Sequence, residues 1–146
     1  MAIDKKATLT YVQLMKEDLA VFRLVPEDGV IPDYDAGQFI TVGMPIPSEE
    51  NKLIRRAYSM ASHPENKEYI ELVVRWVRKP LPGRVTTALF NSGEGDEVSW
   101  IPPTGAALKI SEKLADGSKD ERRIVCVSGG TGIAPFMSFA RHLRAI

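Results

Sequence analysis

The tetrapeptide RAYS at positions 56–59 combines side chains that could hold a flat, charged ligand. A guanidinium such as that of Arg56 binds the oxygens of a diphosphate in a bidentate manner. The ring of Tyr58 suits a flat heteroaromatic group. In an extended strand it faces the same way as Arg56, whereas Ser59 faces the other way unless a bulge re-aims it. Taken alone, the tetrapeptide fits an ordinary strand with a surface arginine better than a ligand site, so its neighbours decide.

Two glycine-led turns could bind phosphate oxygens. At 83–87, GRVTT leads into a short predicted helix, whose free N–H groups and positive dipole end attract anions. An ordinary helix cap remains the plainer interpretation of that segment. At 129–135, GGTGIAP would let the backbone approach a pyrophosphate closely. It matches neither the G-x-G-x-x-G fingerprint nor a Walker loop. A glycine-rich turn that binds no ligand therefore remains an alternative.

The elements that must position these motifs are mostly strands. Short apolar segments with frequent glycine and proline predict six strands, at 8–14, 19–25, 38–44, 56–60, 69–77 and 97–101. The clearest of these strands is 69–77, in which Ile70, Leu72 and Val74 alternate with residues that would face away from them. Six short strands favour a closed barrel or a sandwich, because closure removes exposed edges. A short helix is predicted at 85–91.

The pattern changes after residue 110. Residues 111–123 are highly charged and predict a surface hairpin or a linker. The apolar run 124–127, which includes Cys126, is typical of a buried parallel strand. Pro135 then opens a helix whose apolar face holds Phe136, Phe139, Ala140 and Leu143. The predicted organisation is a barrel domain at 1–110, a linker at 111–123 and the start of an α/β domain at 124–146.

Composition excludes several classes of protein. The 146 residues are 44% hydrophobic and 26% charged, which is the range of folded globular domains. Nineteen basic residues balance nineteen acidic ones, which argues against a nucleic-acid or membrane-surface binder. No apolar run approaches the ~18 residues of a membrane span. One cysteine and two histidines make a poor metal set, and with no signal segment predicted the expected location is the cytoplasm.

In their order and spacing, these motifs resemble the ferredoxin–NADP reductase family, and most of all its bacterial ferredoxin/flavodoxin reductase branch. RAYS looks like the flavin signature R-x-Y-S, GRVT like the G-x-x-[ST] turn, and GGTGIAP like the opening of the pyridine-nucleotide domain. GQF at 37–39, GDEV at 95–98 and PTG at 103–105 add three further matches. The resemblance implies a six-stranded antiparallel Greek-key barrel that binds FAD. It is followed by the first strand, turn and helix of a truncated α/β nucleotide-binding domain.

The resemblance also implies roles for individual residues. Tyr58 and Ser59 would be the catalytic residues, against the flavin ring and near its N5 atom, and Arg56 would pair with the pyrophosphate. The implied cofactor-binding residues are Arg56, Ala57, Tyr58, Ser59, Val73, Val74, Arg75, Gly83, Arg84, Val85, Thr86, Gly130, Thr131 and Gly132. No metal ligands are implied.

The family passes hydride from NADPH to the flavin, and then electrons to ferredoxin or flavodoxin. The resemblance favours FAD over FMN. Because the chain resembles only the start of the nucleotide domain, we expect it to bind FAD but to bind NADPH poorly. We also expect 124–146 to drive dimerisation, segment exchange or local disorder. Two alternatives remain: an electron-transfer subunit completed by a partner chain, and a non-enzymatic barrel module that has lost its flavin.

Overall fold

The structure is a computed structural model that describes residues 4–105, 108–111 and 113–146. Its helices are α1 (Arg84–Phe90) and α2 (Ala134–Ala145), and short 3-10 turns cover Pro47–Glu49 and Gly130–Ile133. The strands are β1 (Lys5–Lys16), β2 (Leu19–Pro26), β3 (Phe39–Ile46), β4 (Lys52–Ser59), β5 (Ile70–Arg75) and β6 (Glu97–Thr104). Each of the six strands predicted for the barrel is present, with ends that shift by a few residues. None of the helices in the described ranges is long and apolar enough to cross a membrane.

The six strands form one antiparallel sheet in the order β4-β3-β6-β1-β2-β5. The sheet curls so that its two edge strands, β4 and β5, approach each other. The edges meet at a bridge between Met60 and Leu72, next to a hydrogen bond of 2.8 Å from the Ala61 amide to the Glu71 carbonyl. The predicted mainly-β, barrel-like fold is therefore confirmed, although the ladder does not close along the whole seam between β4 and β5.

The core lies inside this curled sheet, where alternate residues of each strand are buried. Ile70, Leu72 and Val74 of β5 are at most 1% exposed, as their spacing predicts. The largest fully buried side chains are Trp100, Phe22, Leu9, Leu24, Ile40, Met60, Ile70 and Leu72. Leu89 of α1 joins the same core, and Phe90 packs against it. This fixes α1 beside β3 and β4.

Strand β6 continues beyond the predicted stop at Pro102 and Pro103. Its pairing with β3 joins Ile101 to Thr41 and Thr104 to Phe39. Two proline residues therefore lie opposite a single residue of β3, which is a bulge. Proline cannot donate to a ladder, but a bulge leaves residues unpaired and tolerates it.

The C-terminal part departs most from prediction. The predicted hairpin is present: Lys113 bridges Lys119, and the Leu114 amide donates to the Ser118 carbonyl at 2.8 Å. The prediction of a buried strand at 124–127 is wrong. That segment has no strand partner, Val125 and Val127 are each 85% exposed, and the Cys126 thiol is exposed. A parallel strand forms only beside a neighbouring strand, and the described residues provide none there.

Candidate functional site

The residues singled out by the sequence border the seam between β4 and β5. The Met60–Leu72 bridge joins antiparallel chains, so Tyr58 and Val74, each two residues from the bridge, lie on opposite sides of the seam. Helix α1 contacts β4, and its opening turn is hydrogen bonded to Val77, two residues beyond β5. The structure thus brings 56–59 and 73–75 to the same seam and places α1 beside it.

Arg56 lies on β4 beside an arginine with a different environment. Arg55 is paired with Asp4, through both its Nε and its Nη2 atoms. The hydrogen bond of Arg56 within the described part of the chain runs from Nη1 to the neighbouring Arg55 carbonyl, at 2.8 Å. No carboxylate among the described residues neutralises Arg56. Its charge is therefore available to an anionic ligand.

Tyr58 stands between the core and the seam. It pairs with the buried Ile40 across β3 and packs against the core cluster. Burial raises the pKa of Tyr58 to about 12, although the nearby charge of Arg56 acts in the opposite direction. The phenol therefore stays protonated at neutral pH and can donate a hydrogen bond. The ring and the guanidinium lie on the same face of the strand, as the two-residue spacing predicts.

Ala57 and Ser59 occupy the other register positions of β4. Ser59 ends the strand opposite Phe39 and is half-buried, while Ala57 lies opposite Thr41 and is exposed. Because they alternate with Arg56 and Tyr58, their side chains leave the opposite face of the strand. The predicted hydrogen bond from the Ser59 side chain to a flavin stays a prediction.

On the far side of the seam, β5 presents mainly backbone. The Val74 side chain is buried in the core, and that of Arg75 points towards Asp18, with Nε 3.4 Å from its Oδ2 atom. Val73 is half-buried. Contacts from 73–75 to a ligand in the seam would therefore come from the main chain, and the predicted binding of a cofactor by these residues stays a prediction.

The segment 83–86 is a tight turn that opens α1. The Gly83 amide donates to the Val77 carbonyl at 2.8 Å, and a Cβ at Gly83 would lie 2.6 Å from the Thr86 Oγ1 atom. Glycine is therefore required here by packing. The Thr86 hydroxyl donates to the Gly83 carbonyl at 3.2 Å and accepts from the Val77 amide at 3.3 Å.

The first hydrogen bond within α1 runs from the Thr87 amide to the Gly83 carbonyl. The amides of Arg84, Val85 and Thr86 therefore have no acceptor within the helix. The Arg84 guanidinium is bound to both oxygens of Glu49, at 3.1 and 3.0 Å. The backbone of this turn, rather than its side chains, is the part free to bind phosphate.

The third glycine motif lies in the turn before α2. Gly130 has a left-handed φ of +55°, and the turn Gly130–Ile133 contacts β5. A Cβ built at Gly129, Gly130 or Gly132 would meet no described atom within 4 Å. Packing within the described residues does not require these glycines, in contrast to Gly83. Thr131 is half-buried on this turn, and its predicted approach to a flavin stays a prediction.

Together these groups fit a flavin dinucleotide. The seam offers a protonated aromatic ring, a guanidinium without a carboxylate partner, and backbone N–H groups at the start of a helix. Those groups suit a flat ring system joined to a pyrophosphate.

Sequence reasoning missed a polar row, formed by Tyr11, Arg23, Glu71 and Arg141. The first three are direct neighbours across β1, β2 and β5, and Arg141 comes from α2. Glu71 was expected to face outward, but α2 covers it and leaves it 3% exposed. An alternating strand pattern shows only that Glu71 faces away from the core, so no local signal could have revealed this partner.

Comparison with known proteins identifies the family of this chain. The family described as the oxidoreductase FAD-binding domain matches residues 6–108, which is more than half of the chain. A flavohemoprotein from Bordetella pertussis is 32% identical over 130 residues, covering 88% of this chain and 30% of the relative. The chain therefore corresponds to about a third of that protein's length.

Solved structures share the fold. The flavohem-like FAD/NAD-binding domain of nitric oxide dioxygenase from Vibrio cholerae matches with a TM-score of 0.78 and 25% identity, covering 92% of this chain and 54% of that one. A ferredoxin–NADP⁺ reductase from Neisseria gonorrhoeae, solved with bound FAD and NADP, matches with a TM-score of 0.70 and 19% identity, over 99% and 53% of the two chains. The predicted resemblance is confirmed: this chain belongs to the oxidoreductase FAD-binding domain family, with the fold of the ferredoxin–NADP reductase group.

Proposed function

We propose that this chain is the FAD-binding module of a reductase that takes hydride from NADPH and passes electrons to ferredoxin or flavodoxin. The observation that carries the proposal is the pairing of Arg56 with Tyr58 on one face of an edge strand. A guanidinium that no described carboxylate neutralises lies beside a ring with a protonated hydroxyl. A pyrophosphate joined to a flat ring system satisfies both groups at once.

When bound, FAD accepts a hydride from a reduced nicotinamide and releases its electrons one at a time. The residues of this chain bind and orient the cofactor. Arg56 and the free amides of Arg84, Val85 and Thr86 hold the pyrophosphate, while Tyr58 covers one face of the ring system. Ser59 ends β4, where its hydroxyl would have to reach the reacting edge of the ring system from the other face of the strand. No acid–base pair is needed, because hydride transfer is chemistry of the cofactor.

NADPH is proposed as the electron donor because of the turn at 129–132 and because the Neisseria reductase of similar fold was solved with NADP. The described residues offer a dinucleotide a single glycine turn, so we expect the 146-residue chain to bind NADPH weakly. Ferredoxin or flavodoxin is proposed as acceptor because the sequence resembles reductases that use them. The single cysteine suits a reducing compartment such as the cytoplasm.

Anaerobic reduction tests the proposal. The chain is loaded with FAD and mixed with NADPH, with NADH as the comparison, while the visible absorbance of the flavin is followed. We expect reduction that saturates only at high NADPH, followed by reoxidation when ferredoxin or flavodoxin is added. A flavin that dithionite reduces, but that neither nicotinamide reduces at any concentration, would contradict the proposal.

A further inference from the structure

Helix α2 touches the barrel along a narrow strip. Its buried residues are Ala134, Pro135, Ser138 and Phe139, all on its N-terminal half and middle. Clefts of about 380 and 370 Å³ lie along its flanks. Apolar contacts therefore contribute little to holding the C-terminal half of α2 against the barrel. Hydrogen bonds and ion pairs must hold that half in place.

The polar row supplies one set of those bonds, and a contact of 2.6 Å between His142 Nδ1 and Glu65 Oε1 supplies another. Arg141 Nη1 donates to Glu71 Oε1 at 2.7 Å, and Arg23 Nε donates to Glu71 Oε2 at 2.8 Å. Both oxygens of a carboxylate that is 3% exposed are thereby satisfied by guanidinium groups. The Arg23 guanidinium is itself held against the rings of Tyr11 and Tyr69, with centroid distances of 4.6 and 4.1 Å. Arg141 therefore meets a carboxylate whose position is already fixed.

Helix α2 is also hydrogen bonded to the residues that follow β4, the strand that carries Tyr58 and Ser59. Arg141 Nη1 also donates to the Ala61 carbonyl at 2.9 Å, and Ser138 Oγ donates to the Ser62 carbonyl at 2.7 Å. Residues 61 and 62 follow Ser59 almost directly. Because the turn Gly130–Ile133 runs straight into α2, the position of α2 fixes the distance between that turn and the end of β4.

We propose that Glu71 is a positioning residue of the hydride-transfer site: by binding Arg141 it fixes α2, and with it the turn Gly130–Ile133, relative to Tyr58 and Ser59. The inference rests on the proposed function, because that turn is where the nicotinamide nucleotide would approach the flavin. Glu71 itself touches neither ligand. Its effect is on geometry, to which hydride transfer is sensitive because the reacting atoms must lie in near-attack contact.

Two variants and two matched comparisons test this role. Glu71→Gln removes the charge that holds Arg141, and Arg141→Met removes the partner while leaving Glu71 paired with Arg23. Arg144→Met deletes an exposed guanidinium one turn along the same helix, and Arg141→Lys keeps a charge that can still reach Glu71. Each FAD-loaded protein is mixed anaerobically with reduced nicotinamide mononucleotide, chosen because it is small enough to need only the turn.

We expect Glu71→Gln and Arg141→Met to be reduced ~10-fold to ~100-fold more slowly than the unmodified protein, with unchanged FAD affinity. Arg144→Met should react normally, and Arg141→Lys should recover part of the rate. Hydrogen exchange should show the amides of 130–141 opening at least about tenfold faster in the two slow variants. If Glu71→Gln does not fold, Arg141→Met carries the test, because the barrel keeps its Glu71–Arg23 pair.

The outcomes separate the two proposals. If the unmodified protein binds FAD but the nicotinamide never reduces it, both the proposed function and the positioning role of Glu71 are refuted. Reduction of Arg141→Met at the rate of the unmodified protein, with unchanged amide exchange, would remove the positioning role alone. A slow Arg141→Met variant that has also lost FAD affinity would show a general structural defect, which contradicts a role confined to α2.

Discussion

Replacing Arg56 by methionine should weaken FAD binding without weakening the fold. The side chain is exposed, and its hydrogen bond within the described chain is to the carbonyl of the preceding residue. Methionine keeps the length of the alkyl stem and removes the charge. The free energy of unfolding should therefore change by no more than about 0.5 kcal/mol, as for surface substitutions that break no buried contact.

The expected loss of affinity follows from the environment of the guanidinium. A hydrogen bond to a charged group contributes about 1.5–3 kcal/mol. Because Arg56 is exposed, solvent screens the interaction, so the lower part of that range applies. A loss of about 1.5–2 kcal/mol corresponds to an increase in the Kd for FAD of about 10- to 30-fold.

Arg55→Met is the matched control, because it removes the same group from the adjacent position of β4. Arg55 faces away from Tyr58 and is paired with Asp4. The assay is titration of each flavin-free protein with FAD, followed by flavin fluorescence, alongside a thermal unfolding curve. Arg55→Met should bind FAD normally. Equal affinity of Arg56→Met and the unmodified protein, or equal weakening by both substitutions, would refute the reasoning.

Three further predictions follow from other parts of the fold. Gly37→Ala should cost about 1–3 kcal/mol in the free energy of unfolding, because Gly37 has a φ of +93° and its Cβ would collide with the Leu108 carbonyl oxygen and lie 2.7 Å from the Phe139 ring. Urea unfolding of Gly37→Ala beside Gly29→Ala, whose φ is also positive but whose Cβ would meet open space, measures this cost, and equal losses in the two variants would count against these contacts. Burial raises the pKa of Glu71, but hydrogen bonds from two arginines outweigh it and hold that pKa below the usual 4.5. Glu71 therefore stabilises the fold above about pH 4.5, and this stabilisation is lost as the pH falls through its lowered pKa. In Glu71→Gln the free energy of unfolding should depend less on pH in the acid range, and the same pH dependence as in the unmodified protein would contradict this prediction. Val125 and Val127 are each 85% exposed, and we expect them to cause concentration-dependent self-association that Val125→Asp reduces. Sedimentation that shows a monomer at every protein concentration would contradict this self-association.

The barrel could be predicted because its strands carry their own signal. Alternation along Ile70, Leu72 and Val74 is set by the two-residue period of a strand, and all three are buried as expected. The sequence could not show that β6 continues through Pro102 and Pro103, because a bulge depends on the register of the neighbouring strand. The six strands of the barrel were predictable, whereas their exact ends were not.

The C-terminal segment shows where local pattern fails. The apolar run at 124–127 has the composition of a buried parallel strand, yet a parallel strand needs a neighbour to pair with. On α2, Phe139 is buried as the helical period predicts, but Ala140 and Leu143 are exposed and the polar Ser138 is buried. Hydrogen bonds to the barrel decide which face of α2 packs against it, and the spacing of apolar residues carries no information about those bonds.

The predicted site residues stay a prediction, but the structure shows which of their groups are free to bind a ligand. Arg56 and Tyr58 share a face, as strand geometry requires. The side chain of Arg84 binds Glu49, and the hydroxyl of Thr86 closes its own turn, so both contribute mainly backbone. Glu49 lies far from Arg84 along the chain, and no motif could have indicated that pair.

The most direct test of the central claim is the visible absorption spectrum of the purified protein, followed by identification of the flavin released on denaturation. The account predicts flavin bands at close to one equivalent per chain, either as purified or after incubation with FAD, and the released cofactor should be FAD. A protein that stays colourless after incubation with FAD, although it is folded, would contradict the assignment of the seam between β4 and β5 as a flavin site.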